Sequence, residues 1–261
     1  DLSVTNNASL SSGANAITLG NDAGNATDFG SLTFSSTAAV SISEDSATDL
    51  EGTNTAGSLS LTAAGTITDG TDGDLSVTNN ASFSSGANAI TLGNDAGNAT
   101  NFGSLTFSST ATVSISEGSA TVLEGSSSAD TLSLTAAGTI TDGTDGDLSV
   151  TNNASFTAGA NAITLGNDAG NSTDFGSLTF SSTSTVTISE DSATVLEGAS
   201  AADSLSLTSI GSITDGANGD VSVTNNASFN AGANAITLGN DAGNATNFGS
   251  LTLTGGTVSI S

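Results

Sequence analysis

The chain predicts an all-β fold, a right-handed parallel β-helix (β-solenoid) of about three rungs per repeat. Three observations predict it: a 73-residue period without insertions, apolar residues at alternate positions, and Gly, Asn, Asp and Ser clusters every few residues. Alternation is the mark of a strand with one buried face, and the clusters are turn chemistry.

The period is read from D(L/V)SVTNNAS, which starts at Asp1, Asp74, Asp147 and Asp220. The chain is therefore expected to be a single continuous repeat solenoid over 1–261, with copies 1–73, 74–146, 147–219 and a partial 220–261. Copy two shows the strands in order. Leu75-Ser76-Val77, Ala81-Ser82-Phe83, Ile90-Thr91-Leu92, Leu105-Thr106-Phe107, Val113-Ser114-Ile115, Leu132-Ser133-Leu134 and Thr139-Ile140-Thr141 each alternate apolar with small polar residues. Between them lie TNN, SSGAN, GNDAGN and TDGTDG, all of turn type. No stretch carries the 3.6-residue apolar stripe of a helix.

About eight short strands per copy also suit a sandwich, a barrel or a propeller. The unbroken repeat selects the solenoid, because there each copy can stack on an identical neighbour, whereas sandwiches and closed barrels need different strands at edges and corners. Three coils of roughly 24 residues, each advancing about 4.8 Å, give a rod of about 50 Å. Equivalent acids one copy apart then lie beyond the screening length of about 8 Å at physiological salt.

Composition removes whole classes of function. The chain has no Lys, Arg, His, Cys, Pro, Met, Trp or Tyr, and its 26 Asp and Glu give a formal charge of -26. Catalytic triads, thiol nucleophiles, Schiff-base lysines and His or Cys zinc sites are excluded, and the chain is read as no enzyme. Without cations on its surface it does not bind nucleic acid, and no apolar run is long enough for a membrane span. The 35 % hydrophobic content, ordered in alternation, argues against disorder. Starting and stopping inside a repeat, the chain reads as a segment of something longer.

The run from Ser58 to Ser116, SLSLTAAGTITDGTDGDLSVTNNASFSSGANAITLGNDAGNATNFGSLTFSSTATVSIS, resembles the repeats of filamentous-haemagglutinin-type adhesins, the large bacterial exoproteins commonly exported by two-partner secretion. The likeness rests on the order L-x-L-x-A-x-G-x-I (Leu132 to Ile140), L-x-V with A-S-F, A-N-A-I-T-L, and N-F-G at Asn101 to Gly103. It covers essentially the whole chain. It implies a right-handed parallel β-helix shaft at the outer cell surface, extracellular and non-catalytic, with export and anchoring regions lying outside this segment.

Candidate sites follow from residue type. T-D-G-T-D-G-D gathers Asp69, Asp72 and Asp74, then Asp142, Asp145 and Asp147, with Asp215, Asn218 and Asp220 in copy three. Oxygen ligands on Gly-rich loops suit Ca²⁺, although the spacing is neither that of an EF-hand nor that of a β-roll, and Asp and Gly are ordinary turn residues. Asp22, Asp95, Asp168 and Asp241 belong to GANAITLGNDAGN, which occurs four times, and raise the question of one acidic edge sharing cations. No other cofactor is expected. Sequons stand at Asn7, Asn25, Asn80, Asn98, Asn153, Asn171, Asn226 and Asn244; they are candidates for glycosylation, or hydrogen-bonded turn residues. Phe34, Phe107 and Phe180 are expected in an interior stack, with Leu253 in their place in the last copy.

The functional expectation is the structural shaft of an extracellular bacterial adhesin or surface fibre. The alternative is an acidic matrix or surface-layer protein assembled through divalent cations. An ice-binding face is disfavoured, because the pair in Thr66-Ile67-Thr68 and Thr139-Ile140-Thr141, with Ser212-Ile213-Thr214 as the third counterpart, comes once per copy and two rungs of three lack it. Expected partners are further copies, end to end or side by side, flanking regions of a longer chain, and a host or neighbouring-cell surface reached through regions outside the segment.

Overall fold

The computed structural model describes residues 1–22 and 24–261. Among these no helix occurs and there are 28 strands. The chain forms two compact units, Asp1–Asp130 and Thr131–Ser261. Their boundary falls within copy two and not at a repeat junction.

Unit 1 holds β1 (Leu2–Gly13), β2 (Ile17–Leu19), β3 (Thr27–Ser36), β4 (Ala39–Glu44), β5 (Thr48–Leu50), β6 (Thr53–Ala56) and β7 (Ser58–Ala63). It continues with β8 (Ile67–Asp69), β9 (Asp74–Gly86), β10 (Ile90–Leu92), β11 (Thr100–Ser109), β12 (Thr112–Glu117), β13 (Thr121–Leu123) and β14 (Ser126–Ala129). Strands separated by one circuit of the chain pair in parallel: β1 with β3, β2 with β4, β4 with β7, β7 with β9, β9 with β11. Each backbone N–H and C=O therefore finds a partner in the coil before or after it, which is how a parallel stack satisfies its interior backbone.

One interior column runs Ile17, Val40, Leu59, Ala81, Leu105, Leu123, in steps of 23, 19, 22, 24 and 18 residues. Coils near 21 residues make 73 residues about three turns and a fraction of a fourth, slightly more than the three rungs expected. The fraction matters. Ala81 is the counterpart of Ala8, yet Ala8 heads a different column, Ala8, Leu32, Leu50. Successive copies are thus rotated about the coil, and equivalent residues do not stack on one another.

Coil lengths vary because β3 and β9 are long and bend round a corner at register shifts, whereas β5 and β6 are short and separated by Gly52 at φ +65°. The N-F-G motif sits at such a bend. A Cβ at Gly103 would drive into the carbonyl oxygen of Thr78 in the coil above, so only glycine lets the backbones approach.

Most inward positions are apolar: Phe34, Phe83, Phe107, Leu32, Ile42 and Leu50 are all at most 1 % exposed. Each such side chain contributes about 1.5–3 kcal/mol by leaving water. Phe83 pairs with Phe107 in register and tilts its ring against Phe102, with centroids 5.6 Å apart. Phe34 and Phe107 are interior as expected, but they do not stack on each other: Phe34 pairs with Leu10 and Phe107 with Phe83.

Unit 2 runs from the strand Thr131–Ala136 to Thr257–Ile260. Its column Ile163, Val186, Leu205, Ala227, Leu251 repeats the first four steps of unit 1. Phe156 pairs with Phe180 and meets Phe175 at 5.6 Å. No helix among the described residues is long and apolar enough to cross a membrane.

Candidate functional site

The acidic turns act first as clamps between coils. In unit 1 the TDGTDGD corner after β8 lies under the GNDAGN corner after β10. Asp69, 8 % exposed, accepts the Gly93 N–H at 2.7 Å and the Asn98 amide at 3.2 Å through Oδ2. Asn98 also donates to the Gly70 carbonyl at 2.6 Å, and Asp74 Oδ1 accepts the Ala99 N–H at 2.8 Å. Burial pushes the Asp69 carboxyl above its ordinary range, against these hydrogen bonds, which pull it down.

Unit 2 repeats the clamp twice. Asp142 accepts from Gly166 N–H at 2.8 Å and Asn171 at 3.2 Å; Asp215 accepts from Gly239 N–H at 2.7 Å and Asn244 at 2.9 Å. Asp147 and Asp220 take the N–H of Ser172 and Ala245 at 2.8 and 2.7 Å. Of the metal candidates, Asp72 and Asp145 are exposed at the turn tips. No group of three or more metal-ligating side chains comes together among the described residues.

Asp22 and Asp95 do not share an edge. The Asp22 corner stacks on the corner after β4, where Asp45 and Thr27 exchange hydrogen bonds, while the Asp95 corner stacks on Gly70–Gly73. In unit 2, Asp241 lies over Gly216 and Asp168 over Gly143, again on separate corners. All four carboxyls are exposed. In these corners glycine alone takes the left-handed backbone, at Gly20, Gly93, Gly166 and Gly239 with φ from 69° to 72°; no described non-glycine residue has positive φ.

The sequons divide by structure. Asn98, Asn171 and Asn244 spend their amide nitrogens on the clamp. Asn7, Asn80, Asn153 and Asn226 use their carbonyl oxygens, which accept from pairs of hydroxyls such as Ser104 and Thr106 at 3.0 and 3.3 Å on Asn80, and Asn7 also donates its amide to the Thr33 hydroxyl at 3.0 Å. Asn25, above which no Asp clamp lies, is exposed.

Sequence reasoning missed the most buried acids. Glu44, Glu117 and Glu190 are at most 2 % exposed. Each follows V-x-I-x-E, so the period-two pattern that places Val113 and Ile115 inside also places Glu117 inside; the alternation already held the signal. With no cation in the chain to pair with, each carboxyl is held by fixed donors. Glu117 accepts the Phe102 N–H at 2.8 Å, the Thr121 hydroxyl at 2.5 Å and the Ser119 hydroxyl at 2.9 Å. Glu44 and Glu190 repeat this with Phe29, Thr48 and Ser46, and with Phe175, Thr194 and Ser192. Burial raises all three pKa values, and these hydrogen bonds only partly oppose it. Asp28 adds repulsion at Glu44 and Asp174 at Glu190; copy two has Asn101 in that place.

Copy two differs in a second way. Asp45 and Asp191 cap the N–H of Thr27 and Thr173 at 3.0 and 3.1 Å, whereas Gly118 stands at their position beside Thr100, whose buried hydroxyl has no partner.

The profile of a family described as repeats of unknown function (DUF5649) matches residues 37–106, 110–179 and 183–252. No curated protein and no solved structure matches the chain.

Proposed function

From a chain that belongs to the DUF5649 family of repeats, we propose a structural role: a shaft segment of an extracellular bacterial adhesin or surface fibre, without catalysis. The observation that carries this reading is the interior register. The inward residues of each coil in a unit sit on inward residues of the next, so length can be added by adding copies without redesigning an edge. The resemblance to filamentous-haemagglutinin-type repeats supports placement at the cell surface. The acids support it in another way. The buried ones are committed to holding coils together, and the chain offers trypsin-like proteases no Lys or Arg to cut.

Electron microscopy of the full-length gene product tests the proposal. Each 73-residue copy added or removed should change the fibre by about 16 Å, roughly 3.4 coils at about 4.8 Å each. Immunolabelling of intact cells should find the repeats outside. Chelation of divalent cations should leave the thermal midpoint unchanged. An unchanged fibre length, or labelling confined to the cell interior, would sink the proposal.

A further inference from the structure

One concavity of unit 1 is neither a clamp nor part of the core. Where β9 and β11 bend together, Thr78, Asn79, Asn80, Gly103 and Ser104 form one wall, and Val122 and Glu124 of the following coil form the other. The groove is shallow and open, with a volume of about 550 Å³. Gly103 deepens it by having no side chain at the bend.

The hydrogen-bonding groups here are only partly spent. Asn80 uses its carbonyl oxygen to accept from Ser104 and Thr106, which turns its amide nitrogen to other partners. Among the described residues the Asn79 side chain has no hydrogen-bond partner, and the reason lies in the coil above. One of its two equivalents in unit 2, Asn225, donates to the Asp203 carboxylate at 2.9 and 3.0 Å. Gly57 stands at the position of Asp203, so Asn79 meets only a backbone carbonyl there, which takes its N–H. Glu124 is half-buried beside these amides, with its backbone fixed by hydrogen bonds to Leu105 and Thr106 and its carboxylate left to accept.

We infer that this groove binds a neutral sugar residue of a glycan. Amide donors beside a carboxylate acceptor match adjacent hydroxyls, each of which donates once and accepts twice. The half-buried Val122 offers a small apolar patch for a C–H face of the ring. An anionic ligand is opposed by Glu124 and by the formal charge of -26. A flat aromatic ligand finds no aromatic wall. The inference is independent of the shaft reading, since a site of this kind needs only unit 1 to be folded.

The test is nuclear magnetic resonance titration of the whole 261-residue chain with D-glucose, D-galactose, D-mannose and their disaccharides. At least one should shift the side-chain amides of Asn79 and Asn80 and the backbone of Gly103 and Val122 saturably. The dissociation constant should be on the order of millimolar, as an open groove without aromatic stacking allows. Asn79→Ala should weaken binding by about tenfold. Val122→Asp should abolish it while the chain stays folded, because Asp49 occupies that position in copy one without disrupting β5. Three results overturn the inference: no saturable shifts with any of these sugars up to about 100 mM, equal shifts in the Asn79→Ala protein, or shifts produced at these residues by Ca²⁺ alone and by none of the sugars.

Discussion

Glu117 offers the sharpest test of how an all-anionic chain buries charge. Replacing it by alanine strands two buried donors, the Phe102 N–H and the Thr121 hydroxyl, while Ser119 can turn to water. At roughly 1–3 kcal/mol for each unsatisfied buried group, Glu117→Ala should cost about 2–6 kcal/mol. Glu117→Gln keeps an oxygen for the Phe102 N–H and presents an amide to the Thr121 hydroxyl, so its cost in acid should be small. Its pH dependence is the telling part. Burial raises the Glu117 pKa above the ordinary 4.5, so the folded chain holds this proton more tightly than the unfolded chain. The stability contributed is therefore full below pH 4.5 and is lost as pH rises through the folded pKa. Urea denaturation of wild type and Glu117→Gln between pH 4 and 8 reads the difference directly, since the other acids are common to both proteins. The variant should gain on wild type as pH rises. A difference that is flat with pH, or a glutamine as damaging as alanine, would refute this reasoning.

Three further outcomes follow from the same contacts. Gly118→Asp should stabilise the chain by about 1 kcal/mol by capping the Thr100 N–H as Asp45 and Asp191 cap theirs; its Cβ needs only the Asn101 side chain, 3.3 Å away, to give slightly, and thermal melts would show the gain. Gly103→Ala forces a methyl into the Thr78 carbonyl and should cost about 2–4 kcal/mol. Gly97→Ala meets open space and pays only for its φ of +110°, about 1 kcal/mol, so chemical denaturation should rank the two far apart. Asn98→Asp sets a carboxylate against Asp69 and should destabilise by about 2 kcal/mol near neutral pH, with the loss shrinking in acid as the pair takes up a proton.

Much of the fold is legible in the residues themselves. Alternation places Val113, Ile115 and Phe107 inside, turn clusters mark the corners, and the 73-residue period requires a stack. The same alternation points to Glu117, but an acid on an inward position reads as surface until its donors are seen. Those donors come from β11, fifteen residues earlier, and from β13, four residues later, and no local pattern links the three.

The sequence by itself determined that the chain is all-β, repetitive, without cations and unable to support most catalysis, because these follow from which side chains exist and how often they recur. The tertiary structure alone decided what stacks on what. Coils of 18 to 25 residues do not divide 73 evenly, so within unit 1 copy two is turned relative to copy one and equivalent corners lie on different edges. That mismatch separates Asp22 from Asp95, and the register across coils sets Asp69 under Gly93 and Asn98; the residue difference between Gly57 and Asp203 leaves Asn79 without the carboxylate that Asn225 meets. Hydrogen bonding depends on which atoms lie within about 3 Å across coils, and that distance is fixed by the register of the stack rather than by position along the chain.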